Sequence, residues 1–191
     1  MAQVTIKRVG DVPAPANQVK MKRVGDVPQA KPAPFNSFEA SLAEVENAQR
    51  VGFSDGMWSP HDSPEGGTDT IGYGHKLTAE DISSGRFKDG ISDEDAIALF
   101  REDIEKHRDI VRKDVKDFDQ MPQKYQDVLT NIAFNVGSVK ENKWPSLLKA
   151  MRAGDDATVR KEMVTSFVDP KGVRQPLKTR AKKIADAAGL E

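Results

Sequence analysis

Glu46 and the run Thr70-Ile71-Gly72-Tyr73-Gly74-His75 combine a helix-borne carboxylic acid with a threonine in a short glycine-rich hairpin. Glu46 follows Leu42 by four residues and Val45 by one, which puts it at the margin of the apolar face of an amphipathic helix. Glu44 points away from that face, into solvent. A carboxyl at such a margin is partly desolvated, and desolvation raises its pKa and keeps it protonated near neutral pH. Cleavage of a glycosidic bond needs such a group, because an acid must protonate the leaving oxygen while positive charge develops on the sugar ring.

The threonine gains meaning from its hairpin. Gly72 and Gly74 remove side chains at alternate positions, which lets a polysaccharide or a facing backbone come close. Thr70 then sits on a strand with its hydroxyl able to hold a water. The glycine pair lacks the strand-to-helix context of a phosphate-binding loop. His75 reads as a buried structural histidine satisfied by a carboxylate. His61 and His75 have no clustered ligand spacing around them, so neither a metal nor another cofactor is expected.

Elements of an α+β, mainly helical domain must position these residues. Asn36 with Glu39 makes a capping box, and Phe38, Leu42 and Val45 follow at helical spacing. Residues 51–69 are rich in Gly, Asp, Ser and Pro and suit loops with a hairpin through Gly66-Gly67. Ser92 with Asp95 opens a long helix that carries Ile97, Phe100, Ile104 and Val111 on one side. Further helices are expected over 122–135, 146–153, 156–167 and 176–188, with Gly137 ending the first and Pro176 starting the last. One small β-element accompanies them.

Residues 1–36 read as an extended basic tail ahead of a folded domain over 37–191. Five of the eleven prolines fall there, and no apolar periodicity appears. The tail repeats itself: Lys7-Arg8-Val9-Gly10-Asp11-Val12-Pro13 recurs as Lys22-Arg23-Val24-Gly25-Asp26-Val27-Pro28. A linear motif used twice suits docking on a symmetric or repeated partner, where the second contact gains from effective concentration.

Composition narrows the classes further. The formal charge is -1, but the tail holds six Lys/Arg against two Asp, which leaves 23 basic and 28 acidic residues for the body. A nucleic-acid enzyme is expected to show the opposite sign on its body, so nucleic acid is not expected as a substrate. The chain has no cysteine, hence no disulfide framework and no thiolate chemistry. No stretch has the length to span a membrane, and the N-terminus lacks the apolar core of a signal peptide. If the protein acts outside the cytoplasm, delivery by something else is expected.

Glu46-Asn47 followed by Thr70-Ile71-Gly72-Tyr73-Gly74-His75 resembles the active-site region of phage-type lysozymes, the muramidases of glycoside hydrolase family 24. Three more blocks follow in the right order. Gln126-Asp127-Val128-Leu129 with Ile132-Ala133-Phe134-Asn135-Val136-Gly137 is similar to the family's central buried helix. Residues 146–155 are similar to the next helix and its turn, and Pro176-Leu177-Lys178-Thr179-Arg180-Ala181 to the start of the last. The resemblance implies a lysozyme-like domain with a small β-hairpin subdomain that hydrolyses the β-1,4 bond between N-acetylmuramic acid and N-acetylglucosamine in bacterial peptidoglycan. It implies Glu46 as general acid, Thr70 as a residue that places the attacking water, Arg180 as the partner of Glu46, and His75 as a structural histidine.

The spacing departs from the family at one point. Glu46 and Thr70 are 24 apart, whereas the family places them closer, with an aspartate about six before the threonine. Position 64 is a proline. Glu65, five before Thr70 and next to Gly66-Gly67, is the favoured second carboxylate, and Asp62, eight before, stays open. Asp69 should point to the opposite strand face. Trp58 and His61 on the longer loop are expected to wall the cleft for sugar stacking, with Tyr73 as a further substrate contact. The same resemblance leaves room for a lytic transglycosylase or a virion structural protein with little activity. An endolysin or virion-associated lysin would be made in the host cytoplasm and act in the periplasm or cell wall, or travel in the virion on a partner held by the tail.

Overall fold

A computed structural model describes residues 34–62, 69–168 and 171–191, and it is an α+β structure with a helical majority. The tail repeat, Glu65 and Gly66-Gly67 lie outside the described residues. Helix α1 covers Ser37–Asn47 and begins at the expected capping box: the Asn36 side chain accepts from Glu39 N, and the Glu39 side chain accepts from Asn36 N. Phe38, Leu42 and Ala43 form its buried face. Two residues ahead of the helix belong to the domain as well. Phe35 packs edge-on to Tyr73 and Phe100, and Arg101 donates to the Pro34 carbonyl at 3.3 Å.

The β-content is distributed over three small antiparallel sheets among the described residues, where one element was expected. Strands β1 (Phe53–Ser54), β2 (Met57–Trp58) and β6 (Ile91–Ser92) form the first. Strands β3 (His61–Asp62), β4 (Asp69–Ile71) and β5 (His75–Lys76) form the second, and β4 and β5 flank the glycine-rich turn. Between β5 and β6, helix α2 (Ala79–Ser84) is capped by Thr78 and Asp81 in a second capping box. The signature is visible in Thr78-Ala79-Glu80-Asp81, although the helix it opens is only six residues long.

Helix α3 (Asp93–Asp114) opens at Ser92, whose side chain accepts from Asp95 N, and its Phe100, Ile104 and Val111 are buried as the spacing predicts. Helix α4 (Gln123–Val136) packs against it and stops at Gly137. Helix α5 (Pro145–Ala153) and helix α6 (Asp156–Glu162) follow and pack on each other. Here the structure corrects the helix expected over 156–167. Its second half is instead β7 (Ser166–Val168), paired with β8 (Arg174–Pro176), because Val164-Thr165-Ser166-Phe167-Val168 is rich in β-branched and aromatic residues. Pro176 closes β8, where its missing N–H is harmless, and helix α7 (Lys178–Ala187) starts two residues later. Among the described residues no helix is long and apolar enough to cross a membrane.

The domain's dependence on residues 34–36 has a measurable consequence. Removal of residues 1–31 is expected to leave the melting temperature unchanged. Removal of 1–36 takes away the Asn36 cap, worth about 1 kcal/mol, and the Phe35 packing, worth about 1.5–3 kcal/mol if fully lost. Thermal melts of the two truncations check this, and equal melting temperatures would contradict it.

Candidate active site

The site is built where the C-terminal end of α1 meets the β4–β5 hairpin and α7. Glu46 occupies the last turn of α1. Its Oε1 lies 2.6 Å from Nη2 of Arg180 on α7, with the Glu46 side chain 19% and the Arg180 side chain 10% exposed. The carboxylate is thus withdrawn from bulk water yet reachable. Arg180 is held from its other side, since its Nε donates to Asn131 Oδ1 at 3.0 Å. Asn131 is almost wholly buried on α4, so three helices converge on one carboxyl group.

Two contacts fix the hairpin against this acid. Asn47 donates from Nδ2 to the Gly72 carbonyl at 3.0 Å and to the Val51 carbonyl at 3.0 Å, while its Oδ1 accepts from Val51 N. Gly74, at φ +88°, faces Glu46 so closely that a Cβ there would lie 3.4 Å from Oε2 and 3.5 Å from the Glu46 Cβ. A side chain at that position would meet both backbone strain and the Glu46 carboxyl. The close approach anticipated for the glycines is therefore made by Glu46 itself.

His75 is held between two carboxylates. Its Nδ1 lies 2.7 Å from Asp103 Oδ2 on α3, and its Nε2 lies 3.7 Å from Asp81 Oδ2 on α2. This ties the hairpin to two helices. For Asp103, burial pushes the pKa up, but hydrogen bonds from His75 and Lys106, with their charges, outweigh it and leave the group below the ordinary carboxylate value of 3.8. A depressed folded-state pKa contributes stability that is complete above the unfolded value and lost as pH falls through the folded one. Acidification below about pH 4 is therefore expected to weaken the wild type more than Asp103→Asn. Urea melts from pH 6 down to pH 3 compare the two, and parallel curves would contradict it.

Thr70 is buried on β4 and its Oγ1 lies 3.2 Å from His61 Nε2 on β3. The register pairs His61 with Thr70 and Asp62 with Asp69. Directly paired residues share a face and successive residues alternate, so Asp62 and Asp69 stand on the face opposite Thr70. Asp69 is placed as anticipated, but the geometry removes Asp62 as the carboxylate beside Thr70. Glu65, the favoured candidate, lies outside the described residues.

Two substrate contacts expected from the sequence are corrected. Trp58 is fully buried and offers no face to a sugar. Phe53 and Tyr73 pack on it at 5.0 Å, the Arg50 guanidinium covers it at 4.9 Å, and its indole N–H donates to Asp93 Oδ1 at 2.8 Å. Tyr73 is buried too, between Phe35, Trp58 and Phe100. Burial and the Asp93 carboxylate push its phenol up, against Arg50. Both rings belong to the core because an Arg–Asp pair closes over them, which hydropathy of the loop does not reveal.

Asp93, Asp103 and Asn131 carry no motif or periodicity that marks them in the sequence as site residues, and Asn47 stands out there only as the neighbour of Glu46. The available signal was polar residues on apolar helix faces, above all Thr130 and Asn131 amid the buried run of α4. The chain's other tryptophan, Trp144, lines a pocket of about 280 Å³ with Val136, Ser138, Lys143, Thr165 and Arg174. Among the described residues no cluster of His, Cys, Asp and Glu could hold a metal ion.

The chain is 27% identical over 127 residues to a protein named "Peptidoglycan hydrolase gp36" from Enterobacteria phage SP6. That alignment covers 59% of this chain but only 13% of the relative's length, so the chain corresponds to a small part of it. No solved structure matches. The family model described as phage lysozyme matches residues 55–183, from the loop before β2 to α7, and so includes Thr70, His75, Asp103, Asn131 and Arg180 while starting after Glu46. With two thirds of its length matched in this way, the chain belongs to the phage lysozyme family.

Proposed function

We propose that this chain is a peptidoglycan hydrolase of the muramidase type, of glycoside hydrolase family 24, that cleaves the β-1,4 bond between N-acetylmuramic acid and N-acetylglucosamine. The observation that carries the reading is the seat of Glu46: a partly buried carboxyl, paired with Arg180 at 2.6 Å and set against a side-chain-free position of the hairpin. A glycan strand can reach such a carboxyl, and the acid gives its proton to the departing O4 while the ring takes on oxocarbenium character. Arg180 orients the carboxyl and stabilises the carboxylate that remains after transfer. Thr70 holds the water that attacks the anomeric carbon of the muramic acid. The family match and the name of the phage relative support the substrate class.

In this reading residues 1–31 are a docking arm, with the repeated Lys-Arg-Val-Gly-Asp-Val-Pro motif engaging a virion or tail protein. The enzyme is made in the host cytoplasm and acts in the periplasm or wall after release, or travels in the particle. Removal of 1–31 is expected to leave hydrolysis intact and to abolish partner binding.

Digestion of purified peptidoglycan, with product ends read by mass spectrometry, tests the function. Reducing muramic-acid ends are expected. Anhydro-muramic ends would make the protein a lytic transglycosylase, which needs one acid and no activated water. No released fragments would leave the fold serving a structural role in the particle.

A further inference from the structure

We propose that His61 is the residue through which Thr70 activates the attacking water, so that a histidine–threonine pair does the work for which a second carboxylate was sought. This rests on the hydrolytic reading above. Three observations carry it. His61 and Thr70 are direct cross-strand partners in the β3–β4 register and share a face, while Asp62 and Asp69 share the other. His61 Nε2 lies 3.2 Å from Thr70 Oγ1. His61 Nδ1 lies 3.3 Å from the Ser59 carbonyl.

Those contacts assign the direction of each hydrogen bond. A carbonyl oxygen only accepts, so Nδ1 carries the ring hydrogen and Nε2 of the neutral imidazole is an acceptor. Thr70 must then donate its hydroxyl hydrogen to His61. Its oxygen lone pairs are left to accept from a water, which is the polarity a water-activating group needs. The surrounding backbone is arranged around the imidazole. Gly52, at φ +87°, leaves room for it: a Cβ there would come within 2.5 Å of His61 Nδ1 and 2.7 Å of the Ser59 carbonyl. Ser59 N in turn donates to the Gly52 carbonyl at 2.8 Å, which closes the segment around the ring.

The step balances without any further reagent. The water oxygen forms a bond to the anomeric carbon as the bond from that carbon to O4 breaks, with its electron pair going to O4. Glu46 delivers its proton to O4. The water's proton passes to Thr70 Oγ1 as the threonine's own proton passes to His61 Nε2. The products are two glycan ends, a Glu46 carboxylate and a His61 imidazolium, whose Nδ1–H still faces the Ser59 carbonyl. Exchange with solvent returns the starting protonation state. His61 acts through Thr70 and is a positioning and proton-accepting residue with no direct sugar contact required.

The test uses the full chain and peptidoglycan, with His61→Gln and Glu65→Gln beside the wild type. A glutamine carbonyl keeps the hydrogen bond from Thr70 but takes no proton. His61→Gln is expected to lower kcat by about 10²-fold or more with KM little changed. Sodium azide, a nucleophile with no proton to lose, is expected to restore turnover in His61→Gln and yield a muramyl azide visible by mass spectrometry. Hydrolysis by His61→Gln at close to the wild-type rate would overturn the proposal. So would azide rescue found in Glu65→Gln and not in His61→Gln, which would return the role to the carboxylate.

A second measurement needs no variant and so survives a His61→Gln that fails to fold. The imidazole nitrogen shifts of the wild type are expected to show His61 as the Nδ1–H tautomer. The Nε2–H tautomer would overturn the proposal, because Thr70 could then no longer donate to the ring. If the wild type releases no reducing ends, the hydrolytic reading itself has failed, and that outcome is separate from both arms above.

Discussion

Glu46→Gln is expected to abolish release of reducing muropeptides, with a fall in kcat of about 10²–10⁴-fold, the range general acid–base catalysis supplies. The amide has the shape of the acid and keeps an oxygen facing Arg180, so the seat beside Gly74 stays filled. What it lacks is a transferable proton. The departing O4 must then leave as an alkoxide, and no other carboxyl among the described residues is paired with Arg180 to replace it. KM is expected to change little, because the acid contributes to the transition state and not to holding the glycan. Turnover with muropeptides separated chromatographically checks this, and a melting curve of the variant shows whether the fold survives. Hydrolysis at near wild-type rate in a folded Glu46→Gln would remove Glu46 as the acid and leave the site without a proton donor.

Trp58→Ala is expected to destabilise the domain by about 3–5 kcal/mol, the cost of emptying the space of a large buried aromatic. The indole has no exposed surface, three aromatic or cationic groups enclose it, and its N–H is satisfied by Asp93. Marginal stability makes such a loss enough to unfold much of the population at 37 °C. Trp58→Phe separates the two contributions, since it keeps most of the packing and loses the hydrogen bond, at about 1 kcal/mol. A sugar-stacking tryptophan on the cleft wall would behave oppositely: its alanine variant would change stability by about 0.5 kcal/mol or less and raise KM. Urea midpoints for both variants distinguish these outcomes.

Much of this architecture is local and therefore legible in the chain. The caps at Asn36 and Ser92 involve residues three apart, and helical amphipathicity repeats within one or two turns, so α1, α3 and α4 follow from short-range rules. The hairpin around Gly72-Tyr73-Gly74 follows from turn chemistry in the same way. Failures came where two states compete over a short stretch. Residues 163–168 continue a helical pattern weakly and carry strong β-formers, and hairpin pairing with residues 174–176, which a reading by helical periodicity does not weigh, decides for the strand.

The chain alone marks Glu46 at the end of a helix, Thr70 on a strand and His75 in the hairpin, and the family resemblance adds Arg180 on the last helix. For Glu46, Thr70 and His75 residue type and periodicity suffice, because protonation chemistry and secondary structure both depend on near neighbours; Arg180 is marked only by the family resemblance. Their partners are set by packing. The Glu46–Arg180 pair joins segments 134 residues apart, and although family resemblance anticipated it, spacing along the chain carries no information about it. Asn131 behind Arg180 and Asp103 behind His75 are likewise reached only when helices pack. The faces of β3 and β4 were decided by register, where one residue's shift exchanges His61 for Asp62 beside Thr70. Trp58 and Tyr73 went to the core for the same kind of reason: Arg50 and Asp93, 43 residues apart, meet over them and close them off from water.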